Sequence, residues 1–381
     1  MSSKFFDQVL CRLFKAYRDA ERHKRKKPEV LEFYSNLGVN LYNLAKDLVN
    51  RTYQVSYSSC FIINKPVKRE VVAASFRDRV VHHFLFALVN PIFERYFIND
   101  SYSCRKGKGT LYGIRRAEGF MRSVTDNFTQ KAYVLKMDVK GFFMNIDRDI
   151  LFEESMSLLS KFQETSGDRN ASEVLSEEWY SLVTYLLKIF VYHDPLENCI
   201  FKSPRSAWNG LPPDKSLIGK PINKGLPIGN LTSQLFSNVY LNPLDQFVKR
   251  ELKIKYYGRY VDDFFLMSKN REELVEVRER IGKFLESHLK LRLHEKKCTL
   301  QDTSKGLPFV GAFILPYRTY AGRRLQNNFK CLIREAAISK TAPNVGSAVE
   351  QCPHMRESLV SYMGLLGNFD SFRFVRNSLL F

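Results

Sequence analysis

The sequence predicts an α+β fold, because segments with helical periodicity and segments with strand-like patterning both occur along it, with no internal repeat. Apolar residues recur every third or fourth position in some segments, and runs of β-branched and aromatic residues flank turn residues in others. The 381 residues are 44% hydrophobic and 26% charged, as in an ordinary globular protein. At roughly 150 residues per domain, this length indicates two or three units within one molecule.

The N-terminal segment predicts an amphipathic helix over residues 4–20, with Phe5, Val9, Leu13 and Tyr17 on one face. The basic run 21–27 follows it. This run is interpreted equally well as a solvated helix end and as a contact for nucleic acid.

A basic-tipped β-hairpin is predicted over residues 53–74, because β-branched and aromatic residues lie on both sides of residues 64–66. Residues 77–98 predict a helix. The loop 101–110 then combines two glycines with three cations. Such a loop suits close approach to phosphates, although a solvated turn has the same composition.

The rest of the chain alternates between strands and helices, interrupted by a long ordered loop rich in Pro, Gly, Asn and Lys. The predicted elements are strand 133–139, helical segment 155–189, loop 193–225, helix 231–251, hairpin 256–268, helix 271–288 and strand 307–315.

Charge points to a polyanionic partner. Lysine and arginine number 59 against 40 aspartates and glutamates, which leaves a formal net charge of +19. Such a field attracts nucleic acid. The most apolar stretch, 84–93, is about half the length that a membrane-spanning helix needs, and polar residues interrupt the N-terminal apolar positions. We therefore expect no membrane partner, no export and a cytoplasmic location.

The seven cysteines are scattered and form no C-x-x-C pair. This pattern predicts neither a disulfide framework nor a zinc site.

Three aspartates carry the strongest chemical signal. Asp262 and Asp263 are adjacent in the predicted hairpin turn, where we expect them to be exposed. Aspartate is common in turns, but two neighbouring like charges cost free energy unless a cation offsets them. Asp138 ends a predicted strand, which can carry it beside the hairpin. Three carboxylates suit Mg²⁺, and two such ions can stabilise the attacking and leaving oxygens of phosphoryl transfer.

With these residues in place, the chain resembles a reverse transcriptase from about residue 60 to about residue 315. The block at Asp138 resembles motif A, residues 225–234 resemble motif B, and residues 260–263 resemble motif C. Further blocks resemble the fingers (65–71 and 76–80), the segment after them (101–110), motif D (294–297) and the primer grip (309–311).

The resemblance implies the right-hand polymerase fold, with fingers, a palm built on an antiparallel sheet and a short helical thumb. It also implies RNA-directed DNA synthesis. The expected boundaries are a basic helical N-terminal extension 1–50, fingers 51–135, a palm 136–315 with a helical insertion and loop 150–224, and a thumb 316–381 that leaves no room for a nuclease domain.

The same resemblance assigns roles to single residues. Asp138, Val139, Asp262 and Asp263 would surround two Mg²⁺ ions, for which Mn²⁺ is an alternative, and Lys297 would donate a proton to pyrophosphate. Triphosphate contacts would come from Lys65 and Arg69, with Lys68 as a substitute for Lys65. The remaining assignments are the deoxynucleotide pocket (Phe142 or Phe143 as the sugar gate, Ile228, Gly229) and nucleic-acid contacts (Arg77, Arg105, Lys106, Lys108, Gln234).

Motif B departs from the commonest form, because Ile228 occupies the position where most reverse transcriptases have glutamine. This variant resembles the enzymes of diversity-generating retroelements, which copy a template RNA inaccurately at adenines. Isoleucine cannot donate a hydrogen bond near the nascent base pair, so low fidelity is expected. Ile228 could equally serve as a packing residue. Retron enzymes and group II intron maturases are disfavoured, since their signatures do not match.

Two alternatives stay open. One is a phage-defence reverse transcriptase that makes DNA from its own noncoding RNA, and the other is an inactive polymerase fold that serves as an RNA-binding scaffold. The expected partners of an active enzyme are a template or noncoding RNA, a DNA primer or RNA–DNA hybrid, and dNTPs. An accessory protein or second subunit would be a further partner.

Overall fold

A computed structural model describes residues 3–64, 67–165, 176–338 and 353–379. The helices are α1 Ser3–Glu21, α2 Pro28–Ser35, α3 Leu37–Asn50, α4 Phe76–Phe93, α5 Thr110–Val124, α6 Phe142–Asn145, α7 Arg148–Thr165, α8 Glu177–Tyr192, α9 Leu231–Gln246, α10 Arg271–Leu289, α11 Arg323–Ile338, α12 Pro353–Leu366 and α13 Phe372–Leu379. The strands are β1 Ser58–Ile63, β2 Arg69–Ala74, β3 Tyr133–Asp138, β4 Cys199–Phe201, β5 Tyr256–Tyr260, β6 Asp263–Ser268, β7 Thr299–Asp302, β8 Leu307–Phe309, β9 Ala312–Leu315 and β10 Arg318–Ala321.

The chain forms two compact units, each assembled from separate segments. The first unit comprises Met1–Ile98, Val139–Phe247 and Gly282–Arg292. The second unit comprises Asn99–Asp138, Val248–Ile281 and Leu293–Phe381.

Helices dominate the first unit. Helix α1 buries Phe5, Val9, Leu13 and Tyr17, which confirms the predicted amphipathic stripe. This stripe packs on α3 and α4, and each buried apolar side chain contributes roughly 1.5–3 kcal/mol. The basic run after α1 therefore begins where the buried stripe ends.

The first unit also holds a small sheet in the order β2-β1-β4. Strands β1 and β2 pair antiparallel from Ser58↔Ala74 to Ile63↔Arg69, which confirms the predicted hairpin. Strand β4 pairs parallel to β1 within the segment predicted as a loop. With only three residues, β4 is too short for a periodic pattern to reveal.

The second unit contains two antiparallel sheets, in the orders β5-β6-β3-β7 and β10-β9-β8. The predicted hairpin 256–268 is confirmed as β5 and β6. The single strand expected over 307–315 is wrong, because β8 and β9 pair with each other across a turn at Val310, whose φ of 39° ends the first strand. Phe265, Met267, Leu307, Phe309 and Ile314 belong to the apolar core of this unit.

Helix boundaries differ from the expected ones. Helix α7 begins at Arg148, before the expected start at residue 155, and α8 ends at Tyr192. Residues 166–175 of the expected helical segment lie outside the described residues. Strand β10 lies at the start of the segment for which the sequence predicts only helices, and α11, α12 and α13 follow it. Within the described ranges, no helix is both long and apolar enough to cross a membrane.

Candidate active site

Two strands and one turn bring three carboxylates together in the second unit. Strands β3 and β6 pair so that Asp138 lies directly opposite Asp263, and cross-strand partners of this kind have Cβ atoms about 4.5–5.5 Å apart. Asp262 lies in the two-residue turn between β5 and β6, which the pair Tyr260↔Asp263 closes. The preceding Val261 has a φ of 57°. The structure thus places the three carboxylates together at one end of the central strands β3 and β6.

Two lysines neutralise part of this charge. Lys297 Nζ lies 2.6 Å from Asp138 Oδ2, and Lys136 Nζ lies 2.8 Å from Asp263 Oδ1. The backbone N–H of His294 donates to the carbonyl of Asp138 at 2.7 Å, which fixes the segment that carries Lys297 beside β3. The segment that resembles motif D therefore lies beside the one that resembles motif A, a contact that the sequence did not predict.

Asp262 is the carboxylate that these lysines neutralise least. Burial raises its pKa to about 7, and the neighbouring charges of Asp138 and Asp263 act in the same direction. Burial also raises the pKa of Asp263. All three side chains are half-buried, so the expectation that the pair in the turn is exposed is wrong.

The donor chemistry of this site fits a divalent cation. Three carboxylates converge, and burial together with the charges of Asp138 and Asp263 disfavours the charged form of Asp262, a cost that a cation would offset. Carboxylate oxygens are the ligands that Mg²⁺ and Mn²⁺ prefer. Among the residues that the structure describes, no three His, Cys, Asp or Glu side chains are already set around one metal position. Lys136 and Lys297 hold two of the carboxylates, and an ion would compete with them.

Sequence reasoning missed two residues of this site. Lys136 precedes Asp138 by two residues on β3, and period-two alternation could have placed both on one face. Arg259 is fully buried on β5, and its Nη1 donates to the carbonyl of Val261 at 2.9 Å. The charge of Arg259 within a strand of mainly apolar and aromatic residues is the feature from which the sequence could have indicated its role. Arg259 braces the turn that presents Asp262.

Residues 225–234, which resemble motif B, lie along the hairpin formed by β1 and β2 in the first unit. The Val72 N–H donates to the carbonyl of Ile228 at 2.9 Å, and the Ala74 N–H donates to Asn230 Oδ1 at 3.0 Å. Gly229 has a φ of 135°, and a Cβ there would lie 3.0 Å from Val71 Cγ1. Both the backbone conformation and the available space therefore require glycine.

The side chain of Ile228 is half-buried and packs against an apolar cluster formed by Cys60, Val72, Met144 and Leu217. This contact agrees with the packing interpretation. It also leaves no hydrogen-bond donor on the side chain at this position of motif B.

Phe142 and Phe143 have different surroundings. Phe142 is 2% exposed, and its ring lies 6.4 Å from that of Tyr240. Phe143 is half-buried and packs on the same apolar cluster as Ile228. Phe142 is therefore a core residue, and Phe143 is the one that can meet a ligand.

The predicted triphosphate cations are described only in part, because Lys65 lies outside the described residues. Arg69 is exposed, whereas Lys68 donates to the carbonyl of Asn209 at 2.6 Å. The buried neighbour Glu70 accepts hydrogen bonds from Trp208, Ser216 and Leu217. These hydrogen bonds hold the loop that follows β4 against the hairpin formed by β1 and β2.

The residues predicted to contact nucleic acid fall into two groups. Arg77 forms ion pairs with Asp47 at 3.1 Å and Asp78 at 3.2 Å, so its guanidinium already has a structural role. Arg105 and Lys108 donate to the carbonyls of Ser101 and Asn99 and thereby shape the loop 101–110. Lys106 and Gln234 are exposed.

The family described as Reverse transcriptase (RNA-dependent DNA polymerase) matches residues 64–314. The chain belongs to the reverse transcriptase family. Its mixed α+β architecture is therefore that of the right-hand polymerases, as predicted. Reverse transcriptases are RNA-directed DNA polymerases, and they depend on divalent metal ions.

This reverse transcriptase is similar to two curated proteins. It is 22% identical over 323 residues to Protein YkfC of Escherichia coli K12, which covers 76% of this chain and 74% of that protein. It is 21% identical over 354 residues to Nuclear intron maturase 1, mitochondrial, of Arabidopsis thaliana, which covers 73% of this chain and 45% of that protein.

Among solved structures, telomerase from Candida albicans with a fragment of telomeric RNA matches at a TM-score of 0.49 and 13% identity, over 86% of this chain and 60% of that one. Truncated apo telomerase from Candida tropicalis matches at a TM-score of 0.48 and 12% identity, over 70% of this chain and 55% of that one. The chain thus spans less than two thirds of the maturase and of both telomerase chains.

Proposed function

We propose that this protein copies a cognate noncoding RNA into DNA, with Asp138, Asp262 and Asp263 as its catalytic carboxylates and two Mg²⁺ ions as cofactors. The observation that carries the proposal is the cross-strand pair Asp138↔Asp263, with Asp262 in the adjoining turn. A scaffold that only bound RNA would not require three carboxylates brought together, one of them with a pKa that burial raises to about 7.

The chain would supply the following groups. Asp138 and Asp262 hold the metal ions, with Asp263 and the backbone of Val139 beside them. When bound, the ions stabilise the charge that develops on the attacking and leaving oxygens. The Lys297 ammonium, 58% exposed and paired with Asp138, donates a proton to the departing pyrophosphate.

In the first unit, Arg69 on the fingers hairpin binds the triphosphate, together with Lys65. The exposure of Arg69 at the start of β2 supports this role. Phe143 excludes the 2′-hydroxyl of a ribonucleotide by its bulk. We assign this role to Phe143 because the side chain of Phe142 is buried in the core.

A cavity lined only by basic side chains supports an RNA partner. It has a volume of about 630 Å³ and lies at the end of α1 in the first unit. Of the nearby carboxylates, Glu21 accepts from Tyr17 at 2.8 Å and from Arg25 at 3.1 Å, and Glu29 pairs with Arg79 at 2.9 Å. The lining residues are Arg18, Arg22, His23, Lys24, Arg25, Lys26 and Lys27.

Ile228 supports the further proposal that synthesis has low fidelity, as in diversity-generating retroelements. Its side chain makes apolar contacts and offers no donor near the nascent base pair. A site without that donor discriminates weakly among the pairs that it accepts. A phage-defence enzyme working on its own noncoding RNA is the alternative.

Primer extension tests the proposal. The purified protein is given an RNA template, a DNA primer, Mg²⁺ and dNTPs, beside the variant Asp262→Asn and the control Glu276→Gln, whose carboxylate is exposed on α10. We expect extension by the wild type and the control, and at least a thousandfold loss in Asp262→Asn.

Equal activity in all three proteins would contradict the catalytic assignment. Sequencing the products separates the biological roles: errors concentrated opposite template adenines support diversity generation, and accurate DNA contradicts the low-fidelity proposal. Extension only on RNA from the protein's own locus would make that RNA part of the enzyme.

A further inference from the structure

The second unit contains a cavity that the proposed polymerase chemistry does not use. It has a volume of about 370 Å³ and is lined by α5, the loop after α5, and the turn between β9 and β10. This volume falls in the range of pockets that bind small ligands. The lining residues used below are Arg115, Gly119, Arg122, Phe128, Tyr317 and Arg318.

Two aromatic rings meet at this cavity. The ring centroids of Phe128 and Tyr317 are 4.4 Å apart, yet Tyr317 stays 74% exposed. Both residues lie in the left-handed region, with φ values of 66° and 63°. An exposed tyrosine held in a disfavoured backbone conformation presents a ring face to solvent, which folding alone does not require.

The loop that carries Phe128 is also held in a disfavoured conformation. Asp126 and Asn127 have φ values of 52° and 55°, so three successive residues with side chains are left-handed. Thr125 holds this turn, because its Oγ1 accepts from the Phe128 N–H at 2.9 Å and its carbonyl accepts from the Gln130 N–H at 2.8 Å. The position of the Phe128 ring is therefore built into the fold.

Three arginines outnumber the two carboxylates, Glu118 and Asp370, at this cavity. Both lining carboxylates are engaged by Thr319: Glu118 accepts from its hydroxyl, and Asp370 accepts from its N–H at 2.8 Å.

Arg115, Arg122 and Arg318 are exposed. The guanidinium of Arg122 lies over the Phe128 ring, 6.0 Å from its centroid, and Arg318 Nη1 donates to the Tyr320 hydroxyl at 3.4 Å. Arginines at a cavity of this kind can bind a phosphate through several N–H groups at once.

Gly119 lines the cavity at a position with open space around it. It lies in the interior of α5, where glycine is less favourable than alanine. A Cβ built at Gly119 would meet no atom within 4 Å, so neither neighbouring side chains nor the backbone conformation requires glycine here. A large side chain at position 119 would therefore extend into the open space of the cavity.

We propose that this cavity binds one nucleotide, with its base against Tyr317 and Phe128 and its phosphate on Arg115, Arg122 and Arg318. Aromatic faces and arginines together are the groups that bind unpaired nucleotides without regard to sequence. The nucleotide could belong to an unpaired stretch of a bound strand or be free in solution, since the chemistry is the same. Binding here does not depend on the proposed polymerase activity.

Photocrosslinking tests the site, with two probes applied to the full chain. An oligonucleotide containing 4-thiouridine represents a strand, and 8-azido-AMP represents a free nucleotide. We expect crosslinks on the peptides that carry Phe128 or Tyr317. The variant Gly119→Leu, which fills the cavity, and Tyr317→Ala, which removes the exposed ring, should each reduce crosslinking roughly tenfold. Gly119→Ala is the matched control and should behave like the wild type.

Each outcome shows either whether the cavity binds a nucleotide or where that nucleotide comes from. Crosslinking at the cavity by the oligonucleotide alone identifies a strand, and crosslinking by 8-azido-AMP alone identifies a free nucleotide. Absence of both crosslinks in the wild type would overturn the site, as would equal crosslinking in wild type and a folded Gly119→Leu variant. Since no readout uses DNA synthesis, loss of the cavity and loss of polymerase activity are distinguishable.

Discussion

Phe142 and Phe143 are adjacent in the chain, but their contacts assign them opposite roles. Phe142 is 2% exposed and packs against Tyr240. The hydroxyl of Tyr240 in turn accepts from the Asp147 N–H at 3.1 Å and donates to the carbonyl of Leu289 at 2.6 Å. Removing the Phe142 ring would disturb this buried network, whereas removing the Phe143 ring would mainly open space.

We predict that Phe143→Ala relaxes sugar selection, because the bulk that would exclude a 2′-hydroxyl is lost. The ratio of kcat/KM for a deoxynucleotide to that for the matching ribonucleotide should fall roughly ten- to a hundredfold. Phe142→Ala should leave this ratio unchanged and lower the free energy of unfolding by about 3–5 kcal/mol. Steady-state incorporation and urea denaturation of both variants provide the measurements.

The reverse pattern, with selectivity lost in Phe142→Ala and kept in Phe143→Ala, would contradict this assignment. Phe143→Tyr is the conservative control, since it keeps the ring and should retain selection.

Residues whose placement depends on local pattern were predictable from the sequence. Asp138, Asp262 and Asp263 stand out because carboxylates interrupt apolar strands, and the structure brings them together. The burial of Phe142 was not predictable, because which of two adjacent rings faces the core depends on tertiary packing. The same limit explains why Arg259 was missed, since its partners Ser101 and Val261 come from a distant loop and from the turn itself.

Among the elements of the first unit, helices α4, α8 and α9 meet at a buried histidine. His82 on α4 lies 2.8 Å through Nδ1 from the hydroxyl of Thr232 on α9, and its ring stacks on Phe190 of α8 at 4.0 Å. Burial lowers the pKa of His82 to about 3, although Asp78 acts in the opposite direction. The three helices therefore pack around a neutral imidazole.

We predict that this histidine makes the protein acid-sensitive. The folded pKa lies below the ordinary value of 6.5, so the stabilisation is complete above pH 6.5 and is lost as the pH falls below it toward 3. A single group of this kind changes the free energy of unfolding by about 1.4 kcal/mol per pH unit in that window. His82→Gln should remove this component, which urea denaturation at pH 7.5 and pH 5.5 would measure.

Burial also lowers the pKa of the nearby His193, so His193→Gln should remove a separate component of the pH dependence and leave that of His82 in place. An equal pH dependence in wild type and His82→Gln would exclude His82 as the source of the acid sensitivity.

Element prediction succeeded where segments were long and failed where tertiary contacts define the element. Helices α1 and α10 follow from periodicity, and the two predicted hairpins follow from the β-branched and aromatic residues that flank their turns. Strand β4 exists because β1 offers it a free edge, which no pattern within Cys199–Phe201 reveals. Strands β8 and β9 look like one apolar run, because the turn at Val310 contains no strong turn signal before glycine.

For the whole molecule, charge connects the sequence with the expected partner. The net charge of +19 is spread over the chain, but the basic turn 22–27 concentrates cations at one cavity. Burial and the neighbouring cations Arg79 and Lys27 lower the pKa of Lys24, which shows that positive charge is crowded there. Such a site gains free energy by releasing counterions from a phosphate backbone.

We predict that the triple variant Arg22→Ala, Lys26→Ala and Lys27→Ala binds RNA with a weaker salt dependence. All three side chains are exposed, so folding should be unaffected. If each contacts one phosphate, the slope of log K against log salt concentration should become less steep by about two to three. Filter binding of the cognate RNA over a range of salt concentrations measures this slope.

The matched control replaces Lys161, Lys188 and Lys283, which are exposed on α7, α8 and α10, and it removes the same three charges. If the net charge alone drives association, both triple variants lose the same slope and the turn is an ordinary solvated helix end. If the turn is a binding site, only its own variant changes the slope, since counterion release counts the phosphates in contact and not the total charge of the protein.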